Sequence, residues 1–209
     1  MRNPLVTAIS FAMLAAALPE RAQTADDASA PGYASLDDDF GKLRDDFNTA
    51  KGSVRLLFVV DPICPGCLRG LDDMNRDLLA KAKDARLRTF VVHVPVIGAQ
   101  AKDVLPAAKL IHNPHVQHYW NSSGEFGRAL AKAVQLKNDK EVVYAWDVWL
   151  LYGPDAQWTG TSPPQPQLLM HQLWKLQGTK FRKLDSEVFA REVQKLLTKL
   201  PAAAATTQR

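Results

Sequence analysis

Between residues 35 and 200 the apolar positions follow two spacings, one of three to four residues and one nearly continuous. Leu36, Phe40, Leu43 and Phe47 fall on one helical face, so a helix is predicted from Leu36 to about Ala50. Ser35 stands where its N-cap would be, three Asp occupy its first turn, and Gly52 ends it. Val54 to Val60 is apolar at every position except Arg55, which predicts a strand buried on both faces at the centre of a sheet. Leu68, Leu71, Met74, Leu78 and Leu79 return to helical spacing and predict a helix reaching Ala85. Leu87 to Val94 then reads as a strand, stopped by Pro95 and Gly98. A strand-helix-strand unit of this length implies parallel neighbours joined by a right-handed crossover.

Residues 99 to about 142 read as helical and irregular: a helix from Lys102 to Ile111 carrying Pro106, a break at Asn113-Pro114, and a helix from Ser122 to Leu136. Ser122 and Glu125 have the spacing of a capping box. Asp147 to Tyr152 reads as a strand, Gly153-Pro154-Asp155 as a turn, and Gln157 to Thr159 as a short antiparallel return. The Pro-rich stretch Ser162 to Pro166 leads into an expected helix, Gln167 to Leu176, closed by Gly178. A last amphipathic helix is expected from Asp185 to Leu200, followed by a small-residue tail over 201–209. No internal repeat is present.

A chain of 209 residues with 46% hydrophobic and 23% charged residues suits one globular domain. The formal charge of +4 is spread along the chain without a run of five Lys or Arg, which argues against a nucleic-acid partner. The N-terminus is more informative. Met1-Arg2-Asn3 precedes an apolar stretch from Leu5 to Leu18, and small and polar residues follow up to Pro31-Gly32. This pattern predicts a signal segment over residues 1–30, cleaved near Ala30 or Ala22, and a domain over 31–200 exported to the periplasm or beyond. The stretch is shorter than the roughly 20 residues of a membrane span. No stable span is expected after cleavage, and the alternative is an uncleaved anchor. No cysteine lies near the stretch, which excludes a lipid anchor on cysteine.

Cys64 and Cys67 are the only cysteines, in Asp61-Pro62-Ile63-Cys64-Pro65-Gly66-Cys67, between the expected central strand and the helix after it. At the start of a helix the first sulfur meets free backbone N–H groups and the positive end of the helix dipole, which favours thiolate over thiol. Pro65 suits the first helical position because its missing N–H has no partner to lose there. Cys67 lies one turn on, close enough to attack a mixed disulfide on Cys64, so Cys64 reads as the nucleophile and Cys67 as the resolving thiol. A bridge this short restrains an unfolded chain little, so reactivity accounts for the pair better than stapling does.

In this arrangement residues 53 to about 160 resemble the thioredoxin-like superfamily, in its exported bacterial branches. The resemblance implies an α/β protein with a central mixed sheet flanked by helices and a helical insertion, about 99–142, before the final β-hairpin. It implies thiol–disulfide exchange with protein thiols and disulfides or small thiols, a redox partner that recycles the dithiol, and no cofactor. Two positions depart from the family. A buried Asp six residues before the first Cys is replaced by Phe58, and the proline that precedes the first strand of the final hairpin is replaced by Trp146 or Asp147. The loss of that proline raises a rival reading, a soft-metal-binding protein with the dithiol as ligands.

Asp147 is the third candidate site residue: it accepts the Cys67 proton or, alternatively, faces solvent at a strand edge. His112, His115 and His118 form a spaced trio that would serve the metal reading or, alternatively, are ordinary polar residues near an irregular turn; His93 and His171 either approach the dithiol or take core or surface roles. A four-Cys zinc or iron–sulfur site is excluded by count within one chain. Trp120, Trp146, Trp149, Trp158 and Trp174 either fill the core or form a docking groove beside the dithiol.

Overall fold

The computed structural model describes residues 32–201. The expected signal segment and the tail past Pro201 lie outside the described residues. Seven strands form one mixed sheet in the order β1-β4-β3-β2-β5-β6-β7. They are β1 (Ala34–Ser35), β2 (Val54–Val60), β3 (Leu87–His93), β4 (Val116–Trp120), β5 (Val148–Tyr152), β6 (Leu168–His171) and β7 (Arg182–Lys183). Five helices cover it: α1 (Gly41–Thr49), α2 (Pro65–Met74), α3 (Val104–Ala108), α4 (Glu125–Ala133) and α5 (Ser186–Lys199).

The continuous apolar run becomes the middle strand, β2, which pairs parallel with β3 along its whole length and antiparallel with β5. Alternate residues feed two cores. Leu57 and Val59 join Leu43 and Phe47 of α1 and Leu130 of α4 on one face. Val54, Leu56, Phe58 and Val60 join Leu71 and Met74 of α2 and Phe189 and Val193 of α5 on the other. Arg55, the polar exception, is fully buried. Its guanidinium donates to the carbonyl oxygens of Phe47, Gly153 and Pro154 at 3.1, 2.7 and 3.0 Å and lies 4.4 Å above the Phe47 ring. Carbonyl dipoles and an aromatic face thus replace water around a buried cation.

Five local expectations are corrected. Ser35 is not a cap: it pairs with Trp120 in β1, and α1 begins only at Gly41, after Phe40 turns the chain at φ 55°. The predicted apolar stripe is nonetheless the buried one. The stretch between the two insertion helices supplies β4, whose interleaved Gln117 and His118 mask the period of a strand. Gln157 to Thr159 forms no strand; it is a loop tied to α1 by the Asn48 side chain, which bonds both the N–H and the carbonyl oxygen of Trp158. The true return strand is β6, inside the segment read as a helix. Leu168, Leu169 and Met170 are three apolar residues in a row, compatible with either period, and the open edge of β5 decides for the strand. The helix after the cysteines runs α-helical to Met74 and continues as a wider π turn over Asn75–Leu79.

Strand register positions the site. Val59 near the end of β2 pairs with Val148 at the start of β5, and Val148 pairs in turn with His171 at the end of β6. The residues just beyond, Asp61 to Cys64, Asp147 and Gln172, therefore meet at one end of the sheet.

Candidate active site

Cys64 caps α2 and Pro65 takes the first helical position, as read from the sequence. Both cysteines are free thiols. The Cys67 N–H donates to Cys64 Sγ at 3.5 Å. Hydrogen bonding from the Cys67 thiol does most to bring the Cys64 thiol down to about 6, helped by the N–H groups of Cys67 and Gly66 and opposed by burial and the Asp147 charge. Cys67 moves the other way: giving its proton to the Cys64 sulfur, full burial and the Asp147 carboxylate all push its thiol well up. Cys64, 9% exposed, is a thiolate at neutral pH within reach of solvent, whereas Cys67 stays a buried thiol.

Asp147 does not face solvent at a strand edge. It is 5% exposed, sits at φ 49° just before β5, and brings a carboxylate oxygen and the two sulfurs within 4.8 Å of one another. Burial raises its pKa. Gln172, the nearby Trp149 indole N–H and the charge of Arg69 favour its ionised form without overcoming burial. Gln172 Nε2 donates to Asp147 Oδ1 at 2.9 Å and to the Gly66 carbonyl oxygen at 3.1 Å, pinning the carboxylate to the first turn of α2. The other oxygen, Oδ2, lies 3.2 Å from where a Cβ on Gly66 would stand.

Phe58, at the position where the resemblance would place a buried Asp, packs against Trp149 at 4.7 Å and Phe189 at 6.2 Å. The carboxylate of this site comes instead from the hairpin side of the dithiol. Asp61, fully buried, accepts from the N–H groups of Ile63 and Ile97 at 3.0 and 2.8 Å and ties the dithiol loop to the loop after β3.

The histidines do not gather at the dithiol. The His112 N–H donates to Asn75 Oδ1, His115 Nδ1 meets Arg88, and His118 Nδ1 lies 3.1 Å from His93 Nε2 in a buried stacked pair. His171 Nδ1 accepts from the Leu173 N–H. The aromatics divide. Trp149, Tyr152 and Trp158 fill the cores, while Trp146 and the 74% exposed Trp174 line a groove of about 290 Å³ with Val142, Tyr144 and Leu173. Trp146 also packs against the core cluster that contains both cysteines. Gln172 went unread in the sequence because it follows a strand taken for a helix, and nothing local marks it.

The parallel crossover from β2 through α2 to β3, the antiparallel β5–β6 hairpin on the other side and the dithiol at the head of α2 define a thioredoxin-like α/β protein. No family model matches the chain, and no curated protein does. Among solved structures it is similar to a secreted Mycobacterium tuberculosis disulfide oxidoreductase homologous to E. coli DsbE, at 13% identity and TM-score 0.45 over 71% of this chain and 85% of that one. A thioredoxin-family thiol:disulfide interchange protein from Chlorobium tepidum TLS is similar at 12% identity and TM-score 0.42, over 71% and 83%. Arabidopsis thaliana ScoI with copper bound is similar at 15% identity and TM-score 0.42, over 82% and 99%.

Proposed function

We propose that this protein is an exported thiol–disulfide oxidoreductase that cycles Cys64 and Cys67 between dithiol and disulfide. The observation that carries this reading is the asymmetry of the pair: a thiolate-favouring cap sulfur, 9% exposed, and a fully buried thiol one turn away beside a carboxylate. The Cys64 thiolate attacks one sulfur of a substrate disulfide, forms a mixed disulfide and releases the other substrate sulfur as thiolate. Cys67 then gives its proton to Asp147 and attacks Cys64 Sγ. The Cys64–Cys67 disulfide forms and the second substrate thiolate leaves. Run backwards, the same steps oxidise a substrate dithiol. Protein thiols or small thiols serve as substrates, and a separate redox partner restores the starting state. The N-terminal pattern supports a periplasmic or secreted setting, and no described helix is long and apolar enough to cross a membrane.

Replacing Cys67 with Ser removes the resolving thiol and is expected to leave a Cys64-linked mixed disulfide that accumulates with a disulfide-bonded protein substrate. Mass spectrometry of the trapped species checks it. No adduct on Cys64, together with no disulfide reduction or formation by the wild type, would sink the proposal.

The alternative, metal handling by the dithiol and nearby histidines, loses its histidines. What remains of it is one observation, the Asp147 carboxylate beside the two sulfurs. As a protein with no turnover, it predicts no trapped adduct.

A further inference from the structure

We infer that the reduced site is also a binding site for a borderline divalent cation, with zinc as the type case, held by Cys64 Sγ, Cys67 Sγ and a carboxylate oxygen of Asp147. The inference rests on the dithiol being reducible, not on turnover. These three donors are the one such group of His, Cys, Asp and Glu atoms among the described residues, and all three side chains are buried.

Geometry comes first. Ligand atoms around tetrahedral zinc, with Zn–S of about 2.3 Å and Zn–O of about 2.1 Å, lie roughly 3.5–3.8 Å apart. The three donor atoms here lie within 4.8 Å of one another, so a contraction of no more than about 1.3 Å closes the set. Asp147 is held for the task. Gln172 occupies Oδ1 and is itself anchored to the Gly66 carbonyl oxygen, which leaves Oδ2 on the dithiol side above a glycine that offers no Cβ. Hydrogen bonds of this kind orient metal-ligating carboxylates and strengthen their grip.

The donor types select the ion. Two thiolates alone satisfy a soft ion such as Cu(I), which gains little from a carboxylate oxygen, whereas zinc accepts sulfur and oxygen together. Three protein donors leave one coordination position open. Binding displaces the Cys67 proton and leaves no free thiolate to attack a disulfide. Oxidation to the disulfide removes both sulfur donors. Metal and disulfide are thus exclusive states of one site, and a bound cation holds the dithiol reduced and silent.

The test is an anaerobic titration of the fully reduced, tag-free protein with zinc against a chromophoric chelator, with a parallel Cu(I) titration. The expected result is one zinc per chain in the reduced protein and none in the oxidised protein. Asp147→Asn is expected to weaken zinc binding by at least about tenfold and to leave Cu(I) affinity within about threefold. X-ray absorption of the zinc-loaded wild type should show two sulfur ligands and at least one oxygen, a readout that does not depend on how well the variant folds. Zinc uptake unaffected by oxidation, an Asn variant as tight as the wild type, or a four-sulfur site bridging two chains would each overturn the inference. Lost disulfide turnover in the metal-free protein would instead count against the oxidoreductase reading and leave the titration standing.

Discussion

Asp147→Asn is expected to slow resolution of the mixed disulfide by about 10²–10³-fold while leaving the first attack by Cys64 intact. Cys67 must lose its proton before it attacks, and its environment pushes that thiol far above neutral pH. Bulk water therefore finds almost no Cys67 thiolate to work with. A carboxylate oxygen of Asp147 lies within 4.8 Å of the sulfur, and burial makes it a stronger base than an ordinary carboxylate. Asparagine keeps the size of the side chain and an oxygen for Gln172 but takes no proton. The first attack should change little: removing the Asp147 charge lowers the Cys64 pKa further, but the thiol is already largely ionised at neutral pH and a less basic thiolate is a slightly weaker nucleophile.

The pH dependence separates the two steps. Attack by Cys64 falls as pH drops through about 6, where its thiolate is protonated. Resolution in the wild type falls as pH drops through the raised pKa of Asp147, where the base is neutralised. In the Asn variant resolution should instead climb about tenfold per pH unit as hydroxide replaces the lost base. Single-turnover stopped-flow with a disulfide peptide measures both steps. An Asn variant that resolves within threefold of the wild type would contradict the role given to Asp147.

Gly70→Ala is expected to destabilise the fold by about 1–3 kcal/mol, although alanine is the better helix former by about 1 kcal/mol. A Cβ at Gly70 would stand 2.3 Å from Trp149 Cζ2 and 2.6 Å from Gln172 Nε2. Neither neighbour can retreat freely: Trp149 is fully buried against Phe58, and Gln172 is held by Asp147 and Gly66. Overpacking therefore outweighs propensity. At this chain length the melting midpoint should fall by roughly 3–10 °C. The same substitution pushes Gln172 off the carboxylate, so slower resolution should accompany the lower midpoint. A variant melting at or above the wild type would show that the sheet and α2 part more easily than the contacts imply.

The sites of these two changes differ in how far the sequence revealed them. β2, α2 and β3 were legible because apolar period, flanking Gly and Pro, and length agree over each. The dithiol was legible because the chemistry of Cys-Pro-Gly-Cys depends on local geometry at a helix start, which neighbouring residues dictate. Asp147 showed only as a carboxylate interrupting an apolar strand. Its burial is set by the pairing of β5 with β2, a contact across nearly ninety residues of chain. Gln172 and Gly70 were not legible at all. Each matters through a close approach between α2 and the β5–β6 hairpin, and β6 itself was hidden in an apolar run that fits helix and strand alike. The histidine trio left two readings open, metal ligands or ordinary polar residues at an irregular turn, and β4 and the turn before it send the three side chains to separate partners.

The reduction potential of the Cys64–Cys67 couple separates a working redox pair from a structural disulfide. A thioredoxin dithiol with a nucleophile pKa of about 7 has a potential of about −270 mV. The Cys64 thiol, brought down to about 6 by hydrogen bonding from Cys67, favours the reduced form and so raises the potential. Equilibration with glutathione or dithiothreitol buffers, read by thiol alkylation, should therefore give a reversible two-electron couple above about −270 mV. A potential below about −300 mV, in the range of structural disulfides, or no reversible couple at all, would contradict the account.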